Sequence, residues 1–443
     1  MEIYKEKVNK EVNITKNNKM NTILTILLWI TYILSLYIIV YLLIIFITKR
    51  DKIIIETKKK IHISRFPFVS ILIPSFNEQD TIIKTLKSVI NLDYPKNKLE
   101  IIVINDGSKD KTKEMVDEFI KNNKEFKIKL INQKNQGKAQ SMNNALKIVK
   151  GEFFACLDAD SFVDSKTLKK MLTIYEEEDK NLAIVTPAMK VKSPKTFLQK
   201  IQWIEYLVSL FIGRLLGYMD CIYVAPGPFS LYRTEIIKKM GNFDTHTITE
   251  DQEIAYRAQK HHYKIKQCYN GYVYTIAPSN LRMLYKQRNR WLKGGFLNII
   301  KYKKLIWNKK YGDFGIMQMS INLIVFFISL TTLFFFGFYV LKPLYEFIRN
   351  VYLVNFDIMP FITNLTNVKF VFLNLDVEKM IILYLLLAIS FVIIHLSHKN
   401  ANERFKKKSI FALLGYFLIY YAIMSFIILI IFFELLIEKK HKW

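Results

Sequence analysis

The sequence predicts an α/β domain with a mostly parallel sheet, inserted in a bundle of membrane-spanning α-helices. Two observations carry that expectation. Long uncharged apolar runs stand near both ends of the chain, and between the first two of them short β-branched strands alternate with helical patterns.

The chain has 443 residues, 51% of them hydrophobic, so it can hold a large domain and several spans. Ile23 to Ile47, Ile316 to Leu341, Met380 to Leu396 and Ile410 to Phe433 are the apolar runs. Each is near or above the roughly 17–25 residues that cross a bilayer as a helix, Met380 to Leu396 being the shortest. The first run is too long for the apolar core of a signal peptide and lacks a small-residue cleavage site, so it reads as a retained anchor. Net charge is +27, with 65 Lys and Arg against 38 Asp and Glu. Nucleic acid is an obvious partner for such a balance, but the basic residues gather beside the apolar runs. Lys49, Arg50, Lys52, Lys58, Lys59 and Lys60 follow the first, and Arg404, Lys406, Lys407 and Lys408 precede the last. That pattern fits the positive-inside rule and anionic membrane lipids, and no nucleic-acid partner is expected. It implies a multi-pass protein of the cell membrane whose middle domain is cytoplasmic. The N-terminal segment and the C-terminal tail then lie outside, with the sequon-like Asn13-Ile14-Thr15 and Asn364-Leu365-Thr366. Cys156, Cys221 and Cys268 match no metal spacing and imply no disulfide framework.

The expected parts are an extracytoplasmic segment 1–22, an anchor 23–48, a cytoplasmic domain 49–280, an interfacial helical region 281–315, and three membrane helices with their loops in 316–443. In the middle domain the apolar runs Val69 to Ile73, Glu100 to Ile104, Lys127 to Asn132, Phe153 to Leu157 and Leu182 to Thr186 read as strands. Thr81 to Leu92, Thr112 to Lys121, Ala139 to Lys150 and Thr167 to Glu178 read as the helices between them. Phe197 to Leu215 carries an apolar stripe (Phe197, Ile201, Ile204, Val208, Phe211, Leu215), and Arg282 to Trp307 mixes aromatic with basic residues. Both read as amphipathic helices resting in the membrane interface.

Polar residues cluster just after the strands, where open α/β sheets bind ligands. Asp158 and Asp160 flank an alanine after the strand Phe153 to Leu157, and both can reach a divalent cation that bridges a diphosphate. Such a triplet alone also decorates ordinary loops. Asn105-Asp106-Gly107-Ser108 and Pro74-Ser75-Phe76-Asn77-Glu78 end strands; each suits either a ligand edge or a plain turn and helix cap. Asn135-Gln136-Gly137-Lys138 opens a helix, whose N–H groups and lysine favour an anion. Thr249-Glu250-Asp251 precedes a helical pattern, so its carboxylates suit either a cap or a general base. Gln287, Arg290 and Trp291 fall at i, i+3 and i+4 and share a helical face. They offer an amide, a cation suited to a diphosphate and a plate for a pyranose.

In order, Pro74 to Glu78, Asn105 to Ser108, Asn135 to Lys138, Leu157-Asp158-Ala159-Asp160, Thr249 to Asp251 and Gln287-Arg288-Asn289-Arg290-Trp291 closely resemble the motifs of processive family-2 glycosyltransferases. These are the membrane synthases of cellulose, chitin, hyaluronan and poly-N-acetylglucosamine. One anchor before the domain and three apolar runs after it look most like the short bacterial chitin-oligosaccharide and poly-N-acetylglucosamine synthases. The resemblance implies a GT-A nucleotide-diphospho-sugar transferase domain and an inverting transfer from a UDP-sugar, UDP-N-acetylglucosamine by preference. The product would be an extended β-linked polysaccharide, whose export by the spans is left open; transfer of one sugar to a membrane lipid is the alternative. By the same resemblance Asp106 would contact the uridine, supported by Glu78 and Lys138. Asp158 would lie by the ribose and diphosphate, and Asp160 would hold Mg2+ or Mn2+. Asp251 would be the catalytic base, Gln287 and Arg290 would grip the diphosphate, and Trp291 would stack on the acceptor sugar. A growing saccharide or lipid acceptor, membrane lipids, and an accessory membrane subunit or second copy are the partners it leaves room for. Asn105 departs from the pattern, since many relatives carry aspartate there. The Phe-x-Val-Thr-x-Lys gating loop of cellulose synthases is absent, which argues against cellulose. A degenerate scaffold is the non-enzyme alternative, and the full set of motif carboxylates argues against it.

Overall fold

A computed structural model describes residues 2–58, 63–357, 359, 377–403 and 409–437. Lys59, Lys60, Arg404, Lys406, Lys407, Lys408 and the triplet Asn364 to Thr366 lie outside the described residues, as do the side chains of Asn13 to Thr15 and Lys58.

The chain enters through helix α1 (Glu2–Lys58), then builds the sheet. Strand β2 (Leu99–Asp106), second from one edge, is buried along its whole length, as a run of Leu, Ile and Val covered on both faces requires. Around it lie β1 (Val69–Ser75), β3 (Lys127–Gln133) and β4 (Phe153–Cys156), all parallel. Helices α2 (Ile82–Ile90), α3 (Thr112–Asn122) and α4 (Lys138–Leu146) make the crossovers. Beyond β4 the sheet turns mixed. Its other members are β5 (Phe162–Val163), β6 (Leu182–Val191), β7 (Ser230–Arg233) and β8 (Lys264–Thr275), and the spatial order is β3-β2-β1-β4-β7-β6-β8-β5. Strand β7 runs antiparallel to both β4 and β6, whereas β8 is parallel to β6. Helices α5 (Thr167–Glu177), α7 (Thr234–Lys239) and α8 (Glu250–Lys260) complete this half. The five expected strands and four expected helices are present. Strands β5, β7 and β8 were not foreseen.

Helix α6 (Phe197–Tyr218) opens with a capping box: the Gln199 amide N–H donates to Thr196 Oγ1 at 3.2 Å, and the Thr196 N–H donates back to Gln199 Oε1 at 3.2 Å. Most of its stripe packs on other helices. Ile201 and Ile204 pack against apolar helices near the C-terminus, and Phe211 and Leu215 against Leu42 and Ile45 of α1. The opposite side is equally buried, with Gln202 donating to Pro278 O at 2.8 Å and Arg214 to Asn400 Oδ1 at 2.5 Å. Apolar helices from both ends of the chain thus cover most of the stripe, while Phe197 stays exposed. Helix α9 (Leu281–Lys301), capped by Asn280 Oδ1 accepting from the Met283 N–H at 2.9 Å, carries the Gln-x-x-Arg-Trp residues.

Helices α10 (Met319–Phe336), α11 (Lys342–Leu353) and α12 (Val377–Asn400) follow, then α13 (Ile410–Gly415) and α14 (Tyr421–Leu436) joined by a π-helical turn. Among the described residues, four continuous helical stretches are long and apolar enough to cross a bilayer: Thr22–Glu56, Phe314–Leu353, Val377–Asn400 and Ile410–Leu435. The foot of α1 is tied to the sheet domain through Glu56, whose carboxylate accepts from Tyr218 and from Arg214 Nη2 at 3.4 Å, and whose carbonyl accepts from Tyr269.

Candidate active site

The carboxyl ends of β1, β2 and β4, the amino ends of α4 and α8, and helix α9 converge on one region. Strand β4 delivers Asp158 and Asp160 just past its last residue, in a turn closed by the Ser161 N–H donating to Asp158 O at 3.0 Å. Asp160 is held above the usual carboxylate range by burial and by the Asp158 charge, partly offset by Ser161 Oγ donating to its Oδ1 at 3.0 Å. Glu78 is pushed up by burial and by the same two aspartates, against a hydrogen bond from Thr81 Oγ1 at 2.5 Å.

Lys138 is at the first turn of α4, and its ammonium lies 2.5 Å from Asp158 Oδ1 and 3.2 Å from Glu250 Oε1. Burial alone would lower its pKa, yet Asp158 and Glu250 hold it well above the usual lysine range, so it stays charged. Lys138 thus bridges two carboxylates from distant parts of the chain. It also makes Glu250, named from sequence only as part of the Thr249 to Asp251 motif, a member of the site. Gly227 explains how the bridge closes: a Cβ there would stand 2.5 Å from Lys138 Nζ and 2.9 Å from Asp158 Oδ2.

Asp106 is buried, and protein donors engage both its oxygens. Oδ1 accepts from Gln133 Nε2 at 2.7 Å and the Gln136 N–H at 2.9 Å, and Oδ2 from the Gly137 N–H at 2.9 Å. The anion held at the start of α4 is thus Asp106 itself, which fixes the β3–α4 turn. Asn105, the departure from the family pattern, donates to Asn132 Oδ1 at 2.9 Å and accepts from the Ser108 N–H at 3.0 Å.

Asp251 sits in the first turn of α8, with Oδ1 accepting from the Gln252 N–H at 2.8 Å. Burial first and the Glu250 charge second push its pKa up to about 6; Lys138 and Arg290 pull the other way. Helix α9 is brought onto α8 at Gly294, whose missing side chain makes room for Thr249. Asn298 Nδ2 then ties Thr249 Oγ1 at 3.0 Å and Gln252 Oε1 at 3.1 Å. Near this contact Gln287 Oε1 is buried with no hydrogen-bond partner among the described residues, and Arg290 is close enough to bias Asp251. Trp291 is half-buried. The Arg288 guanidinium stacks on its ring 4.5 Å from the centroid, and Val191, Tyr206 and Ala277 pack beside it, so part of the ring is committed to the protein. Arg288 is fixed in turn by Glu205 Oε2 at 2.6 Å. Arg288 and Glu205 are structural members that no spacing rule marks.

Residues 70–241 match the family described as Glycosyl transferase family 2. They are a glycosyl transferase family 2 domain. Over 245 residues the chain is 35% identical to a poly-beta-1,6-N-acetyl-D-glucosamine synthase of Staphylococcus epidermidis, covering 54% of this chain and 58% of that protein. It is 32% identical over 271 residues to the enzyme of the same name from Staphylococcus aureus strain MSSA476, covering 61% and 64%. The chain thus spans less than two thirds of the length of these relatives. In fold it is similar to a mannosyltransferase from Pyrobaculum calidifontis, solved in complex with GDP-Man and Mn2+, at a TM-score of 0.55 and 15% identity, covering 93% of this chain and all of that one. The family 2 domain therefore has the GT-A fold. Its matched span contains Glu78, Asp106, Lys138, Asp158 and Asp160, whereas Asp251, Gln287, Arg290 and Trp291 come from the segment after it.

Proposed function

We propose that this is a membrane-bound inverting glycosyltransferase that extends a β-linked polysaccharide from a UDP-sugar, UDP-N-acetylglucosamine in view of the synthases it resembles. The observation that carries the reading is the bridge from Asp158 through Lys138 to Glu250, which sets the strand-end aspartates beside Asp251. Donor-binding and acceptor-activating groups are thereby brought together. Asp251, poised near neutrality, takes the proton of the acceptor hydroxyl as its oxygen attacks the anomeric carbon. The bond from that carbon to the diphosphate breaks on the opposite face, configuration inverts, and UDP leaves with the electron pair. Arg290 meets the charge growing on the diphosphate, and the Gln287 amide offers it a hydrogen bond. Trp291 presents the uncommitted part of its ring to the acceptor sugar.

Asp160 and Asp158 fit a divalent cation: they are two mutually repelling carboxylates at a strand end, and Mg2+ typically takes one or two protein carboxylates with substrate phosphates completing its shell. Bound there, Mg2+ or Mn2+ would offset diphosphate charge. The domain would face the cytoplasm, where UDP-sugars are made, and the growing chain would leave past the apolar helices.

Purified protein given a panel of labelled UDP-sugars with Mg2+ or Mn2+ tests the reading. Incorporation from UDP-N-acetylglucosamine into saccharide is the expected result. A single lipid-soluble adduct would favour the one-sugar alternative, and no incorporation from any donor would end the proposal.

A further inference from the structure

The last apolar helix, residues 410–435, touches the catalytic layer at both of its ends. Near its start, Ala412 and Tyr416 pack on Ile201 and Ile204 of α6, and Gly415 is so close that a Cβ would lie 2.4 Å from the Phe197 ring. Midway, Tyr420 donates to Glu205 Oε2 at 2.7 Å, the same oxygen that holds Arg288 of α9. Near its end, Glu434 meets three side chains of α9: Tyr285 at 3.3 Å, Asn289 at 3.2 Å and Lys293 at 3.3 Å. Those three stand at i, i+4 and i+8 and form one face of α9, beside the face that bears Gln287, Arg290 and Gly294.

A helix of 26 residues is about 39 Å long, more than the roughly 30 Å of hydrocarbon in a bilayer. Had it risen straight through the membrane from Ile410, Glu434 would stand on the far side. Helix α9 cannot follow it there, because Leu284 packs on α6 while Asn298 and Lys301 are bonded to Thr249 and Glu253 of the catalytic domain. Helix α11 shows the contrast: none of its residues is buried, as expected of a segment leading away from the domain.

We propose that residues 410–436 do not cross the bilayer but form a brace lying over α6 and α9, with Glu434 the positioning residue that holds the Gln-x-x-Arg-Trp helix over Asp251. This departs from the expected exit of the chain on the outer side, and its catalytic half rests on the glycosyl-transfer reading. The exposed face of the brace, with Phe411, Leu418, Phe426 and Phe433, is turned to lipid. Lys293 is buried while Glu434 is partly exposed, so Glu434 supplies the counter-charge to an ammonium that the fold takes out of water.

Two measurements test the proposal. In sealed vesicles of known orientation, a membrane-impermeant maleimide reads the side of Ile437→Cys against Lys121→Cys in the catalytic domain and Tyr352→Cys at the end of α11. All three native cysteines are buried, which keeps the background low. Ile437→Cys is expected to react from the face that labels Lys121→Cys; reaction from the face that labels Tyr352→Cys overturns the brace. This reading needs no turnover, so its failure is separate from failure of the transferase assignment. For positioning, Glu434→Lys is expected to lower kcat about tenfold or more with donor KM within about twofold, and adding Lys293→Glu to restore most of it. Equal loss in the single and double variants, at equal folded yield, overturns the role of Glu434.

Discussion

Replacing Gly294 by alanine adds one methyl group at the point where the arginine-bearing helix meets the base-bearing helix. The new Cβ would sit 2.5 Å from both Cγ2 and Oγ1 of Thr249, about 0.9 Å inside the closest ordinary contact. Thr249 cannot turn away cheaply, since it is buried and its Oγ1 is tied to Asn298 Nδ2 at 3.0 Å. The helices must therefore part by somewhat under 1 Å, which costs about 1–3 kcal/mol as overpacking. A displacement of that size between Arg290 and Asp251 is expected to cost about 10- to 100-fold in kcat. Initial rates over a range of UDP-sugar concentrations measure it, with thermal unfolding in detergent as the check on folding. Thr249→Ala added to Gly294→Ala removes both offending atoms and is expected to recover part of the rate. Turnover of Gly294→Ala equal to that of the parent protein would refute the argument that α8 and α9 are registered through this contact.

Asp251→Asn is expected to abolish turnover while leaving UDP affinity, read by calorimetry, within a few-fold. Because burial and Glu250 raise the Asp251 pKa, the group holds its proton to higher pH than a free aspartate, and the basic form is lost as pH falls through about 6. The rate is accordingly expected to drop about tenfold per pH unit below that point, as a pH–rate profile would show. Gly227→Ala drives a methyl group into Lys138 and Asp158 and is expected to remove transfer almost entirely, with normal far-UV circular dichroism confirming the fold. Asp160→Asn is expected to raise the Mn2+ or Mg2+ concentration needed for half-maximal rate by about tenfold or more, measured by metal titration.

The parallel half of the sheet was legible because β1, β2 and β4 are nearly continuous apolar runs buried on both faces, while the edge strand β3 alternates polar with apolar residues, with helices between. Strands β5 and β7 were not, since they have only two and four residues and exist through partners far away in sequence. In β8 the Asn270-Gly271 pair reads as a turn, yet the strand runs through it with a register irregularity against β6. Glu78, Lys138, Asp158, Asp160, Asp251 and Arg290 lie within electrostatic reach of one another, but the local bonds among them were not foreseeable. Lys138 and Glu250 stand 3.2 Å apart although more than a hundred residues separate them, and no spacing rule announces an ion pair of that kind. Asp106 turned inward for a similar reason: a carboxylate at a strand end takes whichever N–H groups the neighbouring turn presents. The apolar stripe of α6 looked like a lipid contact because sequence shows that a face is apolar, not what covers it.

Sizing the product is the most direct test of the central claim. Purified protein in detergent, supplied with labelled UDP-N-acetylglucosamine, a divalent cation and a short acceptor, should yield a ladder of saccharides that lengthens with time and is absent in Asp251→Asn. A single product of fixed size, or a ladder that persists in Asp251→Asn, would contradict the account.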